Sequence, residues 1–355
     1  MILFRYIAFD ILKTTTAVTL VLLLLVTSGR FAKYLSQASA GDLAPELLFS
    51  IMLYRIPEFL PLIVPLGLFV GIMLVFGRLY VDSEMIVINA SGVSKRRILL
   101  LTLVPALALS VVVAALTLWG APKGIERAQE LVYQSKNTAS PALFKEGSFL
   151  HNTKGDSVVQ FESVDEEFNI GDGFVFNQRA NGRIMVLKAR DGKLGMSHSE
   201  APKLSFYNGV VFDGMIGQSD FYVTRFAEYT HKLDEFHQQQ AAPSRVDGLP
   251  TMDILHSDVR EHQVALHWRF SLPTTVIVAC LLAIALSKTN HRTGRYAKML
   301  PAILLYLLYI LSLSGARHLI NEQLLTIWLL WLTHFAYLAF AVVLLFREEI
   351  MLWYF

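Results

Sequence analysis

The sequence predicts a membrane α-helical protein: six transmembrane helices with an all-β domain, a sandwich or jelly roll, inserted between the third and the fourth. Three observations lead there. Hydrophobic residues make up 54% of the 355 positions and charged ones 17%, against roughly 45–50% and about 25% in ordinary globular domains. The excess is gathered into runs long enough to cross a bilayer, roughly 18 residues or more. From about 122 to 265 the pattern turns polar and strand-like.

The first three apolar segments cover about 12–36, 46–77 and 97–120. The last three cover about 268–287, 298–318 and 324–346. Ala38-Ser39-Ala40 resembles a signal-peptide cleavage site, but Arg30 and Lys33 intervene and the apolar run ends too early for it. The first segment is therefore expected to stay as an uncleaved helix. Arg5 and Lys13, then Arg78, Lys95, Arg96 and Arg97, then Lys288, Arg292, Arg295 and Lys298, and finally Arg347 fall on one side of six spans. The positive-inside rule makes that side the cytoplasm, with both termini there and the polar block exported. Bases arranged in this way orient a membrane protein, and no nucleic-acid partner is expected.

Within the polar block, SVVQFESV, GFVFNQ, RIMVLKAR, KLSFYNGVVF and FYVTRFAEYT have strand length and strand patterning. Asn152 to Asp156, Asn181-Gly182, Asp191-Gly192 and Asn208-Gly209 separate them as turn signals. The lone cysteine, Cys280, allows no intrachain disulfide, so the exported part must fold on its own core.

Catalytic and cofactor motifs are missing from the sequence. It has no GxxxxGK[ST] loop, no HExxH and no CxxC, and His262 and His267 lack zinc-pair spacing. Ser91, Ser94 and Lys95 read as helix-cap residues and not as a Ser–Lys dyad. No cofactor is expected in this chain. Charge at the membrane is more informative, because an ionisable group in hydrocarbon costs several kcal/mol unless it has a use. Arg30 and Lys33, three apart on one helix face, share the outer level with Arg55, Glu58, Arg317 and His318. Drawn from three spans, they suggest a cationic rim for an anionic amphiphile. Pro57, Pro61 and Pro65 predict a kink or break in span two beside that rim.

The stretch RLYVDSEMIVINASGVSKRR, from Arg78 to Arg97, reads as a short cytoplasmic helix. Asp82 or Ser83 caps it and Glu84 lies in its first turn. Met85 to Ile88 supply apolar surface, Gly92 stops it, and Ser94 caps span three.

This stretch, RIPEFLPLIVPLGLF before it and NHRTGRYAKMLPAILLYLLY later resemble the LptF/LptG permeases of lipopolysaccharide export over essentially the whole chain. LYVDSE and HRTGR resemble the LptF branch, with His291 where its NPRxGR element has Pro. The resemblance implies a non-catalytic permease subunit of an ABC transporter in the bacterial inner membrane, paired with an LptG-like permease. It implies a homodimer of an LptB-like ATPase, which would bind the ATP, and an LptC-like protein carrying its own β-jelly roll. Lipopolysaccharide would be extracted and passed through a periplasmic jelly roll toward the outer membrane. By the same resemblance, Arg30 and Lys33 would face lipopolysaccharide, and Arg317 ends the span whose counterpart forms a lateral gate with the partner; Arg55, from its place in the rim, is expected to join them in binding it. Glu84 would match the acidic residue of the helix that couples to the ATPase, and Asp82, Met85 and Ile88 of the same short helix are expected to share that role. The division expected is 1–121 for spans one to three with the coupling helix at about 80–92, 122–265 for the β-domain and 266–355 for spans four to six. A sensor or enzyme with a ligand-binding exported β-domain is the alternative; a four-span lipoprotein-extracting permease would carry its exported domain after span one.

Overall fold

Six helices are long and apolar enough to cross a membrane, and a six-stranded sheet is inserted between the third and the fourth. The computed structural model describes residues 2–39, 43–137, 149–151, 157–165, 169–178, 182–195, 203–215, 221–232, 246–288 and 298–354. The chain forms two compact units, residues 1–33, 49–128 and 244–355 in one, 34–48 and 129–243 in the other. The Asn290–Arg295 element and the Asn152–Asp156 turn signal lie outside the described residues.

Helices α1 (Ile2–Ser39) and α2 (Leu48–Val81) are the first two spans, and α3 (Glu84–Ala90) is the short helix after them. The third span is made of consecutive helical segments: α4 (Lys95–Ala115), a π-helical turn at Leu116–Gly120, then α5 (Ala121–Asn137). After the sheet come the short α6 (Thr251–Leu255) and three spans, α7 (Arg260–Leu286), α8 (Met299–Asn321) and α9 (Trp328–Tyr354). The third span runs on past its apolar window to Asn137 and the fourth begins ahead of its window at Arg260, so the boundaries expected at 121/122 and 265/266 fall inside α5 and α7. Hydropathy marks where side chains stop suiting lipid, whereas a helix ends only where its hydrogen-bond ladder does.

Burial ranks the spans. In the most apolar stretch 72% of α2 and 61% of α7 is buried, against 11% of α1 and 17% of α9. Leu68, Phe69, Ile72 and Phe76 of α2 and Val276, Ala279 and Leu282 of α7 make the centre of the unit. Helix α2 runs through Pro57, Pro61 and Pro65 without a break. Each proline withholds one amide, but the peptides between them keep the ladder, and Pro61 and Pro65 are buried against protein.

Two glycines let helices touch this core. A Cβ on Gly71 would sit 2.6 Å from Thr15 Oγ1 of α1. A Cβ on Gly124 of α5 would run into the Tyr54 carbonyl oxygen of α2, a backbone atom that cannot step aside. Gly124→Ala should therefore cost about 1–3 kcal/mol and lower the melting temperature in detergent. Gly29→Ala, with nothing within 4 Å of the added carbon, is the control; equal melting temperatures would contradict this packing.

In the second unit, β1 (Phe149–His151), β2 (Ser157–Val164), β3 (Asn169–Gln178), β4 (Arg183–Gly195), β5 (Lys203–Met215) and β6 (Tyr222–Lys232) lie in chain order, each antiparallel to the next. Among the described residues this is one up-and-down sheet, not the two sheets of a sandwich. Its core is Val159, Phe161, Ile170, Val175, Leu187, Ala189, Leu204 and Phe206.

Two of the expected turns are not turns. Asp191-Gly192 lies inside β4 and Asn208-Gly209 inside β5. The ladder skips Asp172 on β3 and Asn208 on β5 without a change of register, and both have positive φ, 44° and 52°. A line of distortion thus crosses the sheet where the αL-tolerant residues fall. The glycines beside it make room for rings: a Cβ at Gly192 would meet the Phe206 ring at 3.1 Å, and one at Gly209 would meet the Phe226 ring. Asn and Gly signal a left-handed backbone, and a kinked strand uses that conformation as readily as a hairpin does.

Candidate functional site

The residues singled out from the sequence form two groups on the first unit. The first is α3 and its anchors. Gly92 ends α3 as expected, with φ +85° and its N–H donating to the Asn89 carbonyl at 3.0 Å. Ser94 caps α4, accepting from the Arg97 N–H at 3.3 Å. The start of α3 differs from expectation. Ser83, at φ +62°, makes no side-chain cap bond, and its carbonyl accepts from the N–H groups of Ile86 and Val87. Asp82 is exposed.

Glu84 is tied to span one. The Tyr6 hydroxyl donates to its Oε2 at 2.9 Å and accepts from Arg78 Nη2 at 3.1 Å. Arg78 Nη2 also reaches Asp10 Oδ2 at 2.8 Å. Four side chains from α1, α2 and α3 thus form one chain of charge-assisted contacts, Glu84–Tyr6–Arg78–Asp10. The apolar side of α3 divides in two. Met85 is 2% exposed and belongs to the core, and Ile88 packs against it. Ile86 and Val87 are 58% and 66% exposed. Met85 and Ile88, chosen from the sequence as a coupling surface, therefore hold α3 to the bundle, and the surface presented outward is Ile86 and Val87. A four-residue apolar run does not say which side faces in.

The second group is the rim, and here the four chosen cations differ. Arg30 and Lys33 are exposed on α1, with the Arg30 guanidinium 5.3 Å from the centre of the Phe59 ring on α2. One turn away on α2, Arg55 Nη1 is 2.7 Å from Glu58 Oε2, and both side chains are mostly buried. Arg317 is engaged separately: it pairs with Asp247 Oδ1 at 2.5 Å and stacks 4.8 Å from the Trp268 ring. The structure brings Arg30 beside the turn that holds Arg55 and commits Arg317 to the segment before α6.

That segment has a second arginine behind it. Arg269, 5% exposed, donates to the carbonyls of Val246, Asp247 and Leu249 and to Thr251 Oγ1, which itself donates to the Leu118 carbonyl in the π-helical turn. Tyr6, Asp10, Asp247 and Arg269 were missed from the sequence. Arg269 carried a signal, a cation inside the fourth apolar run; Tyr6 and Asp10 lie 78 and 68 residues from their partners and carried none.

A family model described as lipopolysaccharide export system permease LptF/LptG matches residues 5–347. The chain belongs to this family. The LptF/LptG match takes in both groups of residues and the inserted sheet. Lipopolysaccharide export system permease protein LptF of Escherichia coli (strain K12) is 31% identical over 352 residues, 97% of this chain and 94% of that protein. LptF of Shigella flexneri gives the same figures. LptG of Escherichia coli (strain K12) is 25% identical over 190 residues, covering 53% of this chain and 51% of that protein. As an LptF/LptG permease with six apolar helices, the chain is a multi-pass membrane protein.

Proposed function

We propose that this chain is the LptF-type permease subunit of an inner-membrane ABC transporter that extracts lipopolysaccharide and passes it toward the outer membrane. In this reading an LptG-like permease completes the membrane part. A homodimer of an LptB-like ATPase binds and hydrolyses ATP, this chain holding no cofactor of its own, and an LptC-like protein continues the path. The termini and α3 face the cytoplasm and the sheet faces the periplasm.

The observation that carries the reading is the attachment of α3. An ATPase that moves α3 also moves α1, through Glu84 and Tyr6 and through Met85 in the core. Helix α1 is continuous from Ile2 to Ser39, so a displacement at Tyr6 is carried about 36 Å along a rigid rod to Arg30, at roughly 1.5 Å per residue. The exposed bases there suit the phosphates of a lipopolysaccharide, and a push at one end of α1 shifts them at the other. Asp82, exposed beside α3, adds a charge to the docking surface.

The deciding experiment is co-purification. With this chain tagged and extracted from membranes, a Walker-containing ATPase and a homologous six-span permease should come with it in fixed proportion. Isolation of the chain alone under conditions that preserve other ABC transporters would overturn the proposal.

A further inference from the structure

A cavity of about 510 Å³ lies apart from the cationic rim and from the exposed side of α3. Its size suits a small ligand, for which roughly 300–1,000 Å³ is usual. Phe76, Leu99 and Leu345 give it apolar walls, and Met85 and Asn89 of α3 reach it from one side. Five bases also line it: Lys95 and Arg96 at the start of α4, Lys288 after α7, Lys298 before α8, and Arg347 on α9. The Lys298 ammonium donates to the Lys288 carbonyl, which ties the end of α7 to the beginning of α8.

The positive-inside rule accounts for bases at this end of the helices. It does not account for their meeting, from α4, α7, α8 and α9, around one cavity with apolar walls. We propose that this cavity binds the phosphate headgroup of an anionic glycerophospholipid, with the apolar walls taking the first methylenes of its chains. The bases supply charge-assisted donors to phosphate oxygens, and basic pockets between transmembrane helices are suited to such headgroups. A seated lipid would also touch Met85 and Asn89, the inner side of the helix whose outer side carries Ile86 and Val87, so its occupancy would bear on how firmly α3 is held.

The orientation proposed above decides only which leaflet supplies the lipid. Binding in detergent does not depend on it, so the site and the transport reading fail separately. The test is native mass spectrometry of the full chain titrated with phosphatidylglycerol, cardiolipin, phosphatidylethanolamine or inorganic phosphate. The wild type should retain the two anionic lipids over phosphatidylethanolamine, and Lys95→Gln/Lys298→Gln/Arg347→Gln should weaken them on the order of a hundredfold. If that triple variant does not fold, Arg347→Gln alone should weaken them about fivefold. Equal retention by wild type and variant would overturn the proposal. So would displacement by inorganic phosphate at matching concentration, which would make this a free-phosphate site. A photocrosslinker at Leu345 should capture lipid in membranes; capture of an acidic protein segment instead would also overturn it.

Discussion

Replacing Ile86 and Val87 together with Asp is expected to abolish co-purification of the ATPase while leaving the chain folded. Both side chains are more than half exposed, and surface substitutions of this kind ordinarily cost within about 0.5 kcal/mol of fold stability. At a docked interface the same positions are apolar anchors, where truncation alone costs about 2 kcal/mol or more and a carboxylate more still. Met85→Asp is the contrast. It places a charge at a position 2% exposed in the core, so it should lower the yield and the melting temperature instead of weakening docking selectively. Glu84→Ala falls between: it removes the acceptor of the Tyr6 hydroxyl, so the ATPase should still bind, with hydrolysis and transport less tightly linked. ATPase retained at wild-type levels by the Ile86/Val87 double variant would remove α3 as the docking element.

The second large effect is expected at the outer end of α1. Arg30→Glu with Lys33→Glu should cut lipopolysaccharide photocrosslinking at neighbouring α1 positions on the order of a hundredfold. In the proposed site each base would make one charge-assisted contact, worth about 1.5 kcal/mol at an exposed position, and the substitution would replace both by repulsion. The fold should tolerate the change. Both residues are exposed, and the substitution removes the cation–π stacking of Arg30 on Phe59, worth about 0.5–1 kcal/mol. Arg317→Ala is expected to behave differently. Arg317 is paired with Asp247 and stacked on Trp268, so its loss should loosen the segment before α6 and lower stability more than it lowers crosslinking. Unchanged crosslinking in the Arg30/Lys33 double variant would remove the rim as a ligand site.

The contrast between Arg30 and Arg317 shows where sequence reading stopped. Both are cations at the end of an apolar run, and spacing treats them alike. They differ because Asp247, 70 residues from Arg317, folds back onto it, and no local pattern announces that. The same holds for α3, where Met85 and Val87 are chemically interchangeable in a short apolar run and only packing into the core decides which is buried. The turn signals failed for a related reason. Asn208-Gly209 reports a tolerance for positive φ, and the partner strands on either side turned that tolerance into a kink within a strand.

Some features were settled by the sequence alone, because they rest on quantities local to the chain. Six spans followed from run length against bilayer thickness, the inserted sheet from period-two patterning, the end of α3 from Gly92, and the cap of α4 from Ser94. Tertiary structure alone decided which side of α3 faces outward, which rim cations remain exposed, and that Glu84 is bonded to a tyrosine 78 residues away. Those outcomes depend on contacts between distant segments, where a few ångströms of helix rotation exchange a buried residue for an exposed one. Composition carries no record of that rotation.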